Sequence, residues 1–109
     1  MTEDAFNVKN TLKIDTHNLK KASLVLRALN HNLRQQILEV INGQEKITVT
    51  EIYVKLRLEQ SVASQHLAIL RKAGIVTTQR DGKFIYYFVN HKRIEEIHTF
   101  VYQLLNSQG

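Results

Sequence analysis

The sequence predicts a mainly α fold with one small β-hairpin, and three observations predict it. Apolar residues recur at three- and four-residue spacing in several separate stretches, the period of a helix that buries one face. Two runs rich in Ile, Val, Thr, Tyr and Phe, Ile75–Arg80 and Lys83–Val89, flank Asp81-Gly82, the two-residue signature of a tight hairpin. A length of 109 residues, 43% of them hydrophobic, suits one domain with one modest core rather than a disordered chain.

Taken in order, Met1–Asp15 has mixed polarity and no period, so a loose N-terminal arm is expected over residues 1–15 and the folded domain over 16–106. Thr16 or Asn18 is placed to cap a first helix running to about Leu29, in which Leu19, Ala22, Leu26 and Leu29 form a narrow apolar seam. After a break at Asn30–Asn32, a second helix spans roughly Leu33–Ile41 with Leu33, Ile37, Val40 and Ile41 inward. Asn42-Gly43 ends it, with Gly43 expected in the left-handed conformation of a helix C-cap. Lys46–Val49 is a short β-branched edge strand, and Thr48 or Thr50 caps a short helix through Leu56 with Ile52 and Leu56 inward. Arg57-Leu58-Glu59 then leads tightly into a helix over Gln60–Ala73, completing a helix-turn-helix pattern. Gly74 is a second C-cap, the hairpin follows, and a last helix runs from about His91 to Leu105. In that helix Ile94, Ile97, Val101 and Leu104 repeat the narrow seam, widened by Phe100 and Leu105. The two end seams can close over the domain's own core or pack against a second copy; a homodimer joined by the N- and C-terminal helices is expected.

The Gln60–Ala73 helix organises the rest. At 100° per residue, Ser61, Ser64, Gln65, Ala68 and Lys72 share one side, and Val62, Ala63, His66, Ile69, Leu70 and Ala73 share the other, with Leu67 at the border. The first face carries hydroxyls, an amide and a cation and no acid. Ser and Gln hydrogen-bond base edges, Ala permits close approach, and Lys and Arg meet phosphate, so this face suits a DNA duplex. His66, at the middle of the apolar face, reads as a buried and hydrogen-bonded structural histidine.

Charge supports the same partner. Between Thr50 and Arg93 lie eight bases against three acids, which accounts for the whole net charge of +5. A localised basic surface favours a polyanion. An anionic membrane is the competing target, but these bases do not sit on a strongly apolar amphipathic helix. The hairpin tip is itself basic through Arg80 and Lys83. A hairpin placed directly after a helix-turn-helix makes a wing able to reach phosphate or the minor groove.

Other function classes fall away. The chain has no cysteine, which excludes disulfides, thiolate metal sites and cysteine nucleophiles and fits a cytoplasmic protein. No apolar run approaches a membrane span, and the N-terminus lacks a signal-peptide pattern. No Gly-rich phosphate loop, Ser-His-Asp set or paired carboxylates nominate an enzyme, and of the five histidines, 17, 31, 66, 91 and 98, all but the last pair lie on separate elements. No cofactor is implied.

The order helix, helix, helix-turn-helix, hairpin, helix resembles the ArsR/SmtB family of winged-helix repressors. The residues that carry the resemblance are ALNHNLRQQILEVI (Ala28–Ile41) and LEQSVASQHLAILRKAGIVTTQRDGKFIYYFV (Leu58–Val89), about two-thirds of the chain. The resemblance implies a dimeric repressor that binds an inverted repeat in double-stranded DNA and releases it on a signal. It places Ser61, Ser64 and Gln65 on base-reading positions and Arg80 on the wing. The full expected DNA-contacting set is Thr50, Gln60, Ser61, Ser64, Gln65, Ala68, Arg71, Lys72, Arg80 and Lys83; the expected dimer seam is Leu19, Ala22, Leu26, Ile94, Ile97, Val101 and Leu104. Many relatives bind metal through a Cys-x-Cys pair on the helix before the recognition helix, but Tyr53 and Lys55 stand there. Others use Asp and His pairs on the last helix. His91 and His98, seven apart on one helical face, are the candidates here, but Leu104 and Ser107 stand where a second ligand pair is expected, so no metal site is assigned. The family's Pro before the second helix is replaced by Asn32, and Glu59 replaces the usual small cap. The alternative is a winged-helix protein-interaction module that binds no DNA.

Overall fold

The computed structural model describes residues 12–107 and arranges them as five helices and three strands. These are α1 (Thr16–Leu29), α2 (Asn32–Asn42), β1 (Ile47–Thr48), α3 (Val49–Leu56), α4 (Gln60–Lys72), β2 (Val76–Asp81), β3 (Phe84–Val89) and α5 (His91–Leu105). Most of the expected arm, residues 1–11, lies outside the described residues; residues 12–15 carry neither helix nor strand.

The caps explain where the helices begin. Asp15, not Thr16 or Asn18, caps α1: its carboxylate accepts from the Asn18 backbone N–H at 3.1 Å and from Asn18 Nδ2 at 2.8 Å. An aspartate beside the positive end of the helix also favours the dipole, so it takes the cap from its neighbours. Thr48 and Glu51 form a reciprocal capping box on α3. His31 caps α2, its Nδ1 accepting from the Arg34 N–H at 3.3 Å.

Two turn expectations are corrected. Gly43 sits at φ −80°, ψ −3°, in the right-handed region, because α2 ends by simply tightening and its last amides remain bonded to Glu39 and Ile41 carbonyls. The hairpin turn is Gly82-Lys83, one residue later than expected. Asp81 pairs with Phe84 in the ladder, and Gly82 alone takes positive φ, at 64°. Glycine at the first central position favours a type II′ turn, whose twist matches the strands, and this shifts the register from the one Asp-Gly suggests. Gly74 does adopt φ +77° after α4.

The sheet has order β1-β3-β2 and is antiparallel throughout. Ile47 and Thr78 flank Tyr87, and Val76 faces Val89, so one sheet face meets the helices while Phe84 and Tyr86 lie on the other. The core gathers Ile37 and Ile41 of α2, Ile52 of α3, Leu67 and Leu70 of α4, Ile75, Val76 and Ile97 of α5. Leu67, placed at the border of its helix by angle, is fully enclosed, and Ile69, placed inward, is 43% exposed. The seat of α4 is rotated slightly toward Leu67, which turns Ile69 outward beside Gln65.

Candidate nucleic-acid interface

The α4 helix presents two chemically different sides. Ala63, Leu67 and Leu70 are buried against the core, which fixes the rotation of the helix. Gln60, Ser61, Ser64, Gln65, Ala68, Arg71 and Lys72 are all exposed. The expected polar face is therefore free along its whole length, with its two cations in the last turn. A shallow cleft lined by Ser64, Leu67, Ala68, Arg71, Lys72 and Tyr87 runs between this face and the sheet. Tyr87 is a functional candidate that sequence reasoning missed. Only the pairing of β3 at the centre of the sheet brings it beside α4.

The rest of the expected set lies on the flanking elements. Thr50 is exposed in the first turn of α3, and Arg80 and Lys83 are exposed at the wing. Arg80 donates from Nη1 to the Gly82 carbonyl at 3.3 Å, which stiffens the turn, while the Lys83 ammonium lies 5.5 Å from the centre of the Phe84 ring. One member of the basic segment serves another purpose. Arg93 donates from Nε to the Ala73 carbonyl at 3.1 Å and pairs with Glu96 at 3.5 Å, so it fastens α5 to the end of α4.

Behind the interface stands a group that the sequence did not single out. Arg34 is only 6% exposed, the one charged side chain buried among the described residues. Its guanidinium donates to the carbonyls of Ala28 (2.7 Å) and Arg27 (3.0 Å) and to His66 Nδ1 (3.1 Å). It thus ties the C-terminal end of α1, the start of α2 and the middle of α4. His66 is hydrogen-bonded, as expected, but half-buried rather than buried, because it sits at the edge of the α4 contact with α1 and α2. It does not lie apart from the other histidines: its ring centre is 5.0 Å from that of His31. Helical periodicity hides such a cluster, because Arg34 belongs by spacing to the inward face of α2 but by type to the surface.

His91 and His98 are both exposed on α5. Among the described residues no three His, Asp or Glu side chains gather as metal ligands. No helix of the described residues is long and apolar enough to cross a membrane.

Comparison with known proteins agrees with this geometry. The profile of bacterial regulatory proteins of the arsR family matches residues 31–78, which run from the cap of α2 into β2. The chain is 32% identical over 87 residues to the transcriptional activator HlyU of Vibrio cholerae, covering 80% of each. It is 32% identical over 85 residues to the transcriptional repressor PagR of Bacillus anthracis, covering 78% of this chain and 85% of that one. The crystal structure of PagR superimposes with a TM-score of 0.62 over 80% of this chain and 99% of its own. That of HlyU from Vibrio vulnificus does so with a TM-score of 0.59 at 35% identity, over 82% and 92%. A winged helix-turn-helix with a free polar recognition face, matched over most of its length by such regulators, places this chain in the ArsR family of DNA-binding transcriptional regulators.

Proposed function

We propose that the protein is a sequence-specific repressor that binds an inverted-repeat operator as a homodimer, without the metal sites common in the family. The observation that carries this reading is the unbroken row of exposed Ser61, Ser64, Gln65, Ala68 and Lys72 on a helix whose opposite side is sealed in the core. Ser61, Ser64 and Gln65 read base edges in the major groove, while Thr50, Gln60, Arg71, Lys72, Arg80 and Lys83 hold phosphate and Ala68 allows close approach.

The dimer reading rests on what α1 and α5 leave uncovered. Ile97 is buried and Ile94 and Val101 pack on the core, but Phe100 and Leu104 are 47% and 61% exposed. Leu26, Leu29, Leu38, Ile94, Ile97 and Val101 line an open groove between α1, α2 and α5. A second copy would cover this apolar surface and set two recognition helices about one helical turn apart on the duplex. Tyr53 and Lys55 on α3 offer no thiolate, and a lysine there repels a cation.

Selection of bound duplexes from a random pool at roughly physiological ionic strength tests the proposal. Enrichment of an inverted repeat is expected. Binding without enrichment that fades as salt rises would reduce the interaction to charge attraction and refute the specific reading.

A further inference from the structure

The junction of α1, α2 and α4 holds two imidazoles and a guanidinium with no carboxylate. Arginine cannot accept a hydrogen bond, so both His66 Nδ1, facing Arg34 Nη1 at 3.1 Å, and His31 Nδ1, facing the Arg34 N–H at 3.3 Å, must be acceptors and carry no proton. Protonation of His66 at this nitrogen therefore costs its bond to Arg34. Arg34 Nε and Nη2 each donate to a carbonyl, of Ala28 and Arg27.

No other charge is near enough to compensate. The groups that act on His66 are His31 and Arg34, and both oppose its protonation. The other charged residues on the elements packed against α4 are His17, Lys20, Lys21 and Arg27 of α1, Glu39 of α2, Glu51 and Lys55 of α3, and Arg80 and Asp81 of β2. All are exposed, and none is among the groups that act on His66. Arg27 gives the cluster only its backbone carbonyl.

We propose that this cluster is a proton-sensitive latch on the recognition helix: protonation of His66 at Nδ1 removes an acceptor of Arg34, sets two cations side by side, and loosens α4 from α1 and α2, so that duplex affinity falls on acidification. The output of the latch rests on the DNA-binding reading above; its trigger belongs to the protein alone. Burial first, then His31, then Arg34 hold His66 below its ordinary value of 6.5. The unfolded or loosened chain therefore takes the proton before the native one does. The seat of α4 is complete above pH 6.5 and weakens as pH falls below that value toward the lowered native one.

The sign distinguishes the latch from simple charge. Acidification makes any protein more positive, and added positive charge strengthens non-specific duplex binding. The latch predicts the reverse.

The test compares wild type with His66→Asn, whose Oδ1 takes the place of Nδ1 and does not titrate, at about pH 7.5 and about pH 5.5, either side of the histidine range. Amide hydrogen exchange in α4 and the imidazole NMR titration of His66 are read on the protein alone; affinity is read on duplexes selected at neutral pH. Wild type is expected to lose α4 protection and about tenfold in affinity, within the usual range of coupling between two sites, while His66→Asn keeps both. If His66→Asn responds to acid as wild type does, or α4 protection stays constant while His66 titrates, the latch is wrong. Should the variant not fold, wild type alone decides, because α4 protection and the His66 ring must then share one midpoint and separate midpoints refute the latch. Absence of duplex binding at either pH overturns the DNA-binding reading and the output proposed here. A His66-dependent loss of α4 protection in that case would still support the trigger.

Discussion

Asn90 donates from Nδ2 to the carbonyl oxygen of Gly74 at 3.0 Å, joining the cap of α5 to the glycine that closes the recognition helix. Its Oδ1 accepts from the Arg93 N–H at 3.2 Å, and its own N–H donates to the Ile75 carbonyl at 2.8 Å. With the Arg93–Ala73 bond, these contacts make the end of α4 and the start of α5 one rigid corner. Asn90→Ala keeps the backbone bond and loses the other two. The expected cost is about 1–2 kcal/mol, read as a lower urea midpoint with an unchanged m-value. An unchanged midpoint would show that water replaces both bonds without loss.

Arg34 calls for a larger effect. Replacing it by Met keeps the apolar stem and leaves the Arg27 and Ala28 carbonyls and His66 Nδ1 without their donor. Removing one partner of a buried charged hydrogen-bond set costs the desolvation of the groups left behind, so a loss of at least about 2 kcal/mol is expected. Arg34→Lys, with a single ammonium that cannot span three diverging acceptors, should fall between. Equilibrium unfolding of the three proteins checks the order. A Met variant as stable as wild type would mean that the cluster contributes nothing to the fold.

The element order was legible because three local signals agreed: helical period, glycine placement and the β-branched runs around Asp81-Gly82. The polar face of α4 was legible for the same reason, since Ser61, Ser64 and Gln65 share a side whatever the tertiary context. What was hidden depends on contacts distant in sequence. Arg34 and His66 are 32 residues apart, and nothing in either local pattern marks them as partners. The turn slipped by one residue because Asp-Gly and Gly-Lys both satisfy a two-residue loop, and strand pairing decides between them. Leu19, read as part of the dimer seam, is 59% exposed in the single chain. The proposed second copy would have to cover it, and no property of one chain supplies that.

The helix-turn-helix connection stores strain. Arg57 ends α3 at φ 57°, ψ 44°, the one non-glycine residue with positive φ among the described residues. The Leu58 N–H bonds back to the Tyr53 carbonyl at 2.9 Å and requires that conformation. A side chain there costs roughly 1–2 kcal/mol that glycine avoids, partly offset by the greater freedom of glycine in the unfolded chain. Arg57→Gly is therefore expected to raise stability by about 0.5–1 kcal/mol, seen as a higher thermal midpoint. A lower midpoint would show that the Arg57 side chain holds the turn through packing.

Leu104 tests the dimer. It is 61% exposed on α5 and is not among the residues that form the core or pack against it. Leu104→Glu should leave the helical circular dichroism intact and shift sedimentation from dimer to monomer, because a carboxylate in an apolar seam must be desolvated. A variant that remains dimeric would move the interface to another surface.

Gln65 and Lys83 separate reading from holding. Gln65 stands exposed on the face of α4 and Lys83 on the wing turn, with no acid paired to either among the described residues. A glutamine that makes paired bonds to one base contributes discrimination, so Gln65→Ala should cost about 1–3 kcal/mol on the preferred sequence and little on others. A lysine on phosphate contributes through counterion release, so Lys83→Ala should weaken all duplexes alike and flatten the salt dependence by about one unit of slope. Titrations of both variants on preferred and scrambled duplexes at several salt concentrations give the two patterns. If Gln65→Ala weakened every sequence equally, its side chain would be a backbone contact, and base reading would fall to Ser61 and Ser64. If neither variant changed binding, the recognition face would lie elsewhere on the molecule.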